Sequence, residues 1–271
     1  QQQLNAFFAA GKSIYVEGTD FGYFMKATAF YQKFGCTYVA DGGGTNNVQN
    51  LTGQTGTLME GGHINYTYGT AYPDQYVDEI SSNGGVILFK CQADKGRAVA
   101  FAGGAGTYRA IHSTFWLGAM KDTGASHTKA EIMQAYMNYL SGDTLVVGLT
   151  PELSAAAGGK VPMFLENERV DAGRTYAVVG SVTGTNPGWP VGSVVIPINY
   201  DIFTEVVIGF WNIAPFVNFQ STLDTQGRAM ATLDYSGTLD PGAVGAVMNY
   251  AFVLAGPFDT ASNAVAVPIV P

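Results

Sequence analysis

The chain has 271 residues, of which 47% are hydrophobic and 13% charged, with a formal net charge of −8. A chain of this length and apolar content can bury a substantial core and divides most simply into two domains, which excludes a disordered polymer. The acid excess supplies no basic stripe to neutralise phosphates or to seek an anionic membrane, and no apolar run approaches the roughly 18 residues of a bilayer span, so nucleic-acid binding and membrane insertion are excluded as readings.

In chain order, residues 2–10 are expected to form a helix whose Leu4, Phe7 and Phe8 face a sheet, closed by Gly11. Residues 13–16 then read as a short apolar strand, and Gly18 and Gly22 bracket the turn after it. In an open α/β sheet, ligands and nucleophiles sit in the crevice at the carboxyl ends of the strands, so Glu17, Thr19 and Asp20 are candidate site residues. Residues 21–34 carry apolar positions at helical spacing, and 37–39 read as a strand. The glycine-rich stretch 41–47 offers oxygen ligands and a flexible backbone. It lacks the regular acid spacing of a calcium loop and reads as a turn. Strands follow at 86–89 and 98–101, joined by a tight turn at Asp94-Lys95-Gly96. Glu79 and Arg109 complete the crevice set: Arg109 is placed to pair with Glu17, Asp20 or Glu79, either as a site cation or as a structural ion pair closing the strand ends. Gly103-Gly104-Ala105-Gly106 follows a strand but lacks a phosphate-loop fingerprint. Thr128 and Glu131 are spaced as a capping box ahead of a helix ending at Leu140, with Ile132, Met133, Tyr136, Met137 and Leu140 assigned to its buried face.

The helix followed by Gly-Lys-Ser-Ile-Tyr-Val-Glu-Gly at 11–18, then Phe34-Gly35, Tyr76-Val77-Asp78-Glu79-Ile80, the strands at 85–89 and 98–102, and Thr107-Tyr108-Arg109 leading to Phe115-Trp116-Leu117-Gly118, resembles the flavodoxin-like domains related to class I glutamine amidotransferases. The resemblance covers about the first half and implies an α/β fold. Enzymes of that kind carry a cysteine on a sharp strand-to-helix turn, served by a histidine and a glutamate. The matching turn here holds Gly18-Thr19, so the resemblance implies the fold without its nucleophile. A flavodoxin-like sheet also starts with a strand before its first helix, whereas this chain opens in the helix. The expectation is an incomplete domain and a processed chain, or a fragment of a longer polypeptide, whose missing strand comes from elsewhere.

After Gly142-Asp143 the character changes. Apolar β-rich runs recur at 145–149, 161–165, 176–182, 194–198, 206–210, 229–233, 247–254 and 264–269, separated by turn clusters such as Asn186-Pro187-Gly188 and Asp240-Pro241-Gly242. They predict an all-β domain, a β-sandwich over 143–271 following the α/β domain over 1–142. Stretches including Ala172-Gly173-Arg174-Thr175-Tyr176, Leu223-Asp224-Thr225-Gln226-Gly227-Arg228-Ala229 and Ala261-Ser262-Asn263-Ala264-Val265 resemble the carboxyl-terminal β-sandwich modules of large bacterial secreted and cell-surface proteins, which implies presentation or attachment.

Cys36 and Cys91 allow one disulfide or two separate buried thiols. Asn50-Leu51-Thr52 and Asn65-Tyr66-Thr67 are N-x-T acceptors, read as solvent-facing loops of a glycoprotein. His63, His112 and His127 are isolated, with no metal-ligand spacing around them, and read as surface or loop residues; no metal or cofactor is expected. Abundant glycine and aromatics with few charges are commoner in extracellular proteins. Together these features predict a non-catalytic structural protein of the cell surface or extracellular space, a subunit of an assembly or filament, or a piece of a large surface protein. Its partner is a second copy or a parent segment that adds a strand. Two alternatives stand beside it: a cysteine-dependent hydrolase or amidotransferase-like enzyme using Cys91 or Thr19, and a glycan-binding module using Trp189, Trp211 and Tyr250.

Overall fold

The computed structural model describes residues 2–44, 47–66, 76–103, 108–149 and 151–271. Two compact units divide the chain, Gln1–Gly142 and Asp143–Pro271. The protein is rich in sheet, with four short α-helices among the described residues.

The first unit runs α1 (Gln2–Ala9), β1 (Ile14–Glu17), α2 (Phe21–Met25), a 3₁₀ turn at Tyr31–Phe34, β2 (Cys36–Ala40), β3 (Asn50–Gly53), β4 (His63–Tyr66), β5 (Glu79–Ser82), β6 (Val86–Cys91), β7 (Gly96–Ala102), β8 (Arg109–Ser113), β9 (Met120–Lys121) and α3 (Lys129–Leu140). Its nine strands form one sheet in the order β1-β8-β7-β6-β3-β4-β9, with β5 bridging β7 to β2. Only β1 and β8 run parallel, Val16 opposite His112; every other pairing described is antiparallel. This corrects the flavodoxin-like expectation, which requires parallel strands alternating with crossover helices. From β6 to β8 the chain instead pairs consecutive strands antiparallel, with connections too short for a crossover helix.

The surroundings of β1 and β8 nevertheless follow from alternation. Every residue of β8 is buried, which fits a central strand covered on both faces. Ala110 and His112 face a cluster of Phe8, Phe30, Tyr31, Phe34, Cys36 and Val99, whereas Arg109 and Ser113 face α3. Phe34 meets Phe8 and Phe30 edge-on, with ring centroids 5.8 and 5.4 Å apart. Gly35 ends the 3₁₀ turn in the left-handed region, and its carbonyl accepts from Asn83 and Gly85 at 2.8 and 2.9 Å. A side chain there would strike the Phe101 ring and the Gly85 backbone, so glycine is required on steric as well as conformational grounds.

Where a single helix over 21–34 was expected, the chain forms α2, a break, and the 3₁₀ turn. Thr28 explains the break: its hydroxyl donates to the Met25 carbonyl at 2.7 Å and accepts the Tyr31 N–H at 3.2 Å, replacing the helical bonds locally. α3 starts at its capping box, Thr128 accepting from the Glu131 N–H and Glu131 from the Thr128 N–H. Its buried residues are Ile132, Ala135, Tyr136 and Tyr139, with Met137 exposed, so the inward face is rotated from the one expected.

The second unit contains β10 (Leu145–Val147), β11 (Leu153–Ser154), β12 (Gly159–Glu166), β13 (Thr175–Ser181), β14 (Trp189–Val191), β15 (Val194–Ile196), α4 (Ile202–Gly209), β16 (Phe216–Val217), β17 (Gln220–Thr222), β18 (Arg228–Tyr235), β19 (Val247–Leu254) and β20 (Val265–Val270). One sheet has the order β10-β12-β18-β16 and another β11-β20-β19-β13-β17. Val161, Met163 and Leu165 of the first share a buried cluster with Tyr176, Val178, Tyr250, Phe252 and Leu254 of the second. The opposite face of β13 and β19, through Val179, Ala251 and Val253, packs under the β14–β15 hairpin and α4. The expected strand over 206–210 is therefore helical. Asp201 caps α4 in a reciprocal box with Thr204, and this cap, with burial of Val207, outweighs the β-branched content of the segment.

Candidate functional site

The expected crevice residues are dispersed. Glu17 ends β1 opposite Ser113, where its Oε2 accepts from the Tyr15 hydroxyl at 2.6 Å and from the Leu117 N–H at 2.9 Å. Burial, followed by the nearby Tyr136 and Glu17, raises the Tyr15 phenol far above its ordinary range. Arg109 lies four positions earlier on β8, about 13 Å along the strand. There its guanidinium donates to the Tyr139 carbonyl at 3.1 Å and stacks 4.8 Å over the Tyr139 ring. Glu79 forms an ion pair with Lys95. Arg109 thus meets α3 in place of Glu17, which lies four positions further along the same sheet face, and of Glu79, which is paired with Lys95.

Thr19 does converge with Asp78, the acidic neighbour of Glu79 that the crevice set left out. The Thr19 carbonyl accepts the Asp78 N–H at 2.9 Å, and the fully buried Asp78 carboxylate accepts the Tyr23 N–H at 2.9 Å, holding the start of α2. Among the described residues the second Asp78 oxygen has no hydrogen-bond partner. Burial, opposed by bonds from the Tyr23 and Gly22 N–H groups and aided by Asp20 and Asp41, pushes the Asp78 carboxyl up to about 7. His112 lies in the same region, its ring 5.0 Å from Phe21 and 5.8 Å from Tyr31. Complete burial pushes its imidazole down to about 4 and keeps it neutral. The surface or loop position expected for His112 is corrected: it is a core residue of a central strand. His63 sits on β4, and His127 Nδ1 lies 2.9 Å from the Ser126 hydroxyl just before α3.

Both cysteines are free and buried, so of the two readings the disulfide is set aside. Cys36 packs among aromatics, and burial pushes its thiol up to about 12. Cys91 ends β6 with its Sγ accepting from Arg97 Nε at 3.4 Å. Arg97 lies one residue ahead of the strand expected over 98–101, and β7 takes it in.

Asn50 and Asn65 are not in loops: they are directly opposed on β3 and β4, and Asn65 also pairs with Lys121 of β9. Thr67 of the second acceptor triplet lies outside the described residues, as do Thr45, Asn46 and 104–107 of the glycine-rich stretches. Among the described residues no group of three or more acidic, histidine or cysteine side chains is arranged to hold a metal ion, and no helix is long and apolar enough to cross a membrane. The aromatic platform is likewise dispersed. Tyr250 is buried in the core, whereas Trp211, which donates to the Val178 carbonyl at 2.8 Å, and Trp189, its ring tilted against Tyr200, are both partly buried.

The Asn263 side chain pairs with both main-chain groups of Leu145 on β10, at 3.0 and 2.8 Å, and Asn212 does the same for Gln220 on β17, at 3.1 and 2.7 Å. Among the described residues β1 is an edge that no such amide meets. Gly18 N–H donates to the Ser113 carbonyl, so alternation turns the main-chain groups of Val16 toward β8 and those of Tyr15 and Glu17 away from it. Among the described residues no strand pairs with that outer side. Comparisons with models of known protein families, with curated proteins and with solved structures return no match.

Proposed function

We propose that this chain is a non-catalytic structural protein of an extracellular or cell-surface assembly, joined to a second copy or to a segment of a parent polypeptide by strand addition at β1. The observation that carries this reading is the outward-facing edge of β1, set against the amide-covered edges of β10 and β17. An unpaired edge is a template for an extended segment: main-chain bonds supply affinity, and pockets for alternate side chains supply selectivity. Glu17 and the Tyr15 hydroxyl, side chains that would otherwise offer chemistry at this edge, are occupied by each other and by Leu117. The second unit is read as a β-sandwich that presents or spaces the first. The low charge and glycine-rich composition support the extracellular setting.

Amide hydrogen exchange on native assemblies and on the dispersed chain, with electron microscopy of the same samples, tests the proposal. Strand addition predicts that Tyr15 and Glu17 amides exchange rapidly in the dispersed chain and become protected in regular polymers. Polymers in which these two amides remain unprotected, or a native material that is monodisperse at all concentrations, would overturn it.

A further inference from the structure

Arg97 is 1% exposed, among the most deeply buried large side chains of the protein. Its guanidinium donates to Cys91 Sγ through Nε at 3.4 Å, to the Val77 carbonyl through one terminal nitrogen, and to Asn47 Oδ1 through the other at 3.5 Å. None of these partners is a carboxylate. Among the described residues, the acids nearest in sequence to these contacts are turned elsewhere: Asp78 caps α2, Glu79 pairs with Lys95, and Asp94 pairs with Lys90. A guanidinium stays protonated at any pH the fold survives, and a buried charge without a counter-charge is strongly unfavourable. Among its ligands only the Cys91 thiol has a proton to lose.

We infer that Arg97 and Cys91 form a buried guanidinium–thiolate pair, and that Cys91 is consequently the site at which soft electrophiles modify this chain. Burial works against the thiolate, but the hydrogen bond from Arg97, backbone donors of the 91–95 turn and the guanidinium charge outweigh it and hold the thiol below its ordinary range. Cys36 provides the contrast within the same unit: fully buried among aromatics with no cation beside it, it remains a thiol. Position favours Cys91 as well. It is 5% exposed at the last residue of β6, where the chain enters the turn to β7, so a small reagent has a path that Cys36 lacks. The chemistry is a simple displacement: the thiolate sulfur attacks the methylene of iodoacetamide, the carbon–sulfur bond forms, the carbon–iodine bond breaks, and iodide leaves without a proton transfer.

The test uses the full chain carrying Cys36→Ser, titrated by thiolate absorbance at 240 nm with Cys91→Ser as the blank. The pair predicts a thiolate signal already present at pH 7, with a midpoint below the roughly 8.5 of a free cysteine. Arg97→Gln is expected to move the midpoint above that value and Arg97→Lys to move it less. Should Arg97→Gln fail to fold, as circular dichroism would show, the titration of the Cys36→Ser chain alone still decides. A signal that emerges only above about pH 8.5 overturns the pair. Iodoacetamide labelling of the parent chain at pH 6, read by mass spectrometry, decides the modification: Cys91 labelled well ahead of Cys36 in the native state supports it, and equal or absent labelling of Cys91 overturns it.

Discussion

Asp78 shows how one residue can be central to a local structure and nearly invisible in sequence. Its neighbour Glu79 has the same charge but pairs with Lys95 in the open, while Asp78 is buried against α2 with Asp20, Asp41, Tyr31, Tyr38, Tyr23 and Lys26 around it. A carboxyl held at about 7 in the folded chain and near 3.8 when unfolded binds more proton in the folded state across that interval. Stability therefore falls as pH rises from about 4 to about 7 and levels off above it. Asp78→Asn keeps an acceptor for the Tyr23 N–H and removes the charge, so urea midpoints measured across that range should lose most of their slope. A slope retained in the variant would assign the pH dependence to another group. Gly22 supports the same site from beneath: a Cβ there would lie 2.7 Å from the Tyr31 hydroxyl and 2.8 Å from Asp78 Oδ2. Gly22→Ala should cost about 1–3 kcal/mol in chemical denaturation, the usual penalty of overpacking a filled core. A loss below about 0.5 kcal/mol would mean that α2 shifts freely.

At the scale of elements, the sequence was most legible where local signals agreed with the tertiary context. The capping box before α3, the apolar runs of β13 and β19 and the tight turn between β6 and β7 all formed where pattern placed them. Legibility failed where a local signal was overridden. The 206–210 run is rich in valine and isoleucine and reads as strand, yet Asp201 accepts from the Ser181 and Thr183 hydroxyls and from the Val182, Thr183 and Thr204 N–H groups and starts a helix instead. The candidate crevice failed for a different reason: the tight turn at 94–96 already implies an antiparallel pair, but nothing local extends that to the rest of the sheet, and with the assumption of parallel strands went the convergence of Glu17, Glu79 and Arg109. Burial disfavours the Asp201 carboxylate, but these donors, led by Ser181, outweigh it and hold its pKa far below the ordinary value. A depressed folded pKa contributes stability that is complete above the unfolded value and is lost as pH falls below about 4. Asp201→Ala should lower stability at neutral pH by about 1–2 kcal/mol, the upper end of a cap loss, and much less at pH 2. Equal losses at both pH values would show that the carboxylate charge contributes nothing.

For the whole molecule, the contrast that matters is between the β10 and β17 edges, each met by a side-chain amide, and the β1 edge, which no amide of the described residues meets. Asn263 imitates a neighbouring strand, its amide meeting both main-chain groups of Leu145, and thereby closes the β10 side of its sheet. A protein of low charge density whose sheets end in open edges is prone to pair indiscriminately, since only 13% of its residues carry charge to oppose contact. On the reading proposed above, amides meet the main chain of β10 at Leu145 and of β17 at Gln220 while β1 is offered for pairing, an arrangement that would favour directed over indiscriminate contact. Asn263→Ala tests this division of labour. Removing the amide unpairs the Leu145 N–H and carbonyl, with an expected cost of about 1–3 kcal/mol, and uncovers a second edge. The variant should melt at a lower temperature and scatter light at concentrations where the parent stays clear, and its particles should be irregular in electron micrographs. Regular polymers indistinguishable from the parent's, with an unchanged melting temperature, would mean that the β10 edge is protected by something other than Asn263 and that the amide does not direct where the chain pairs.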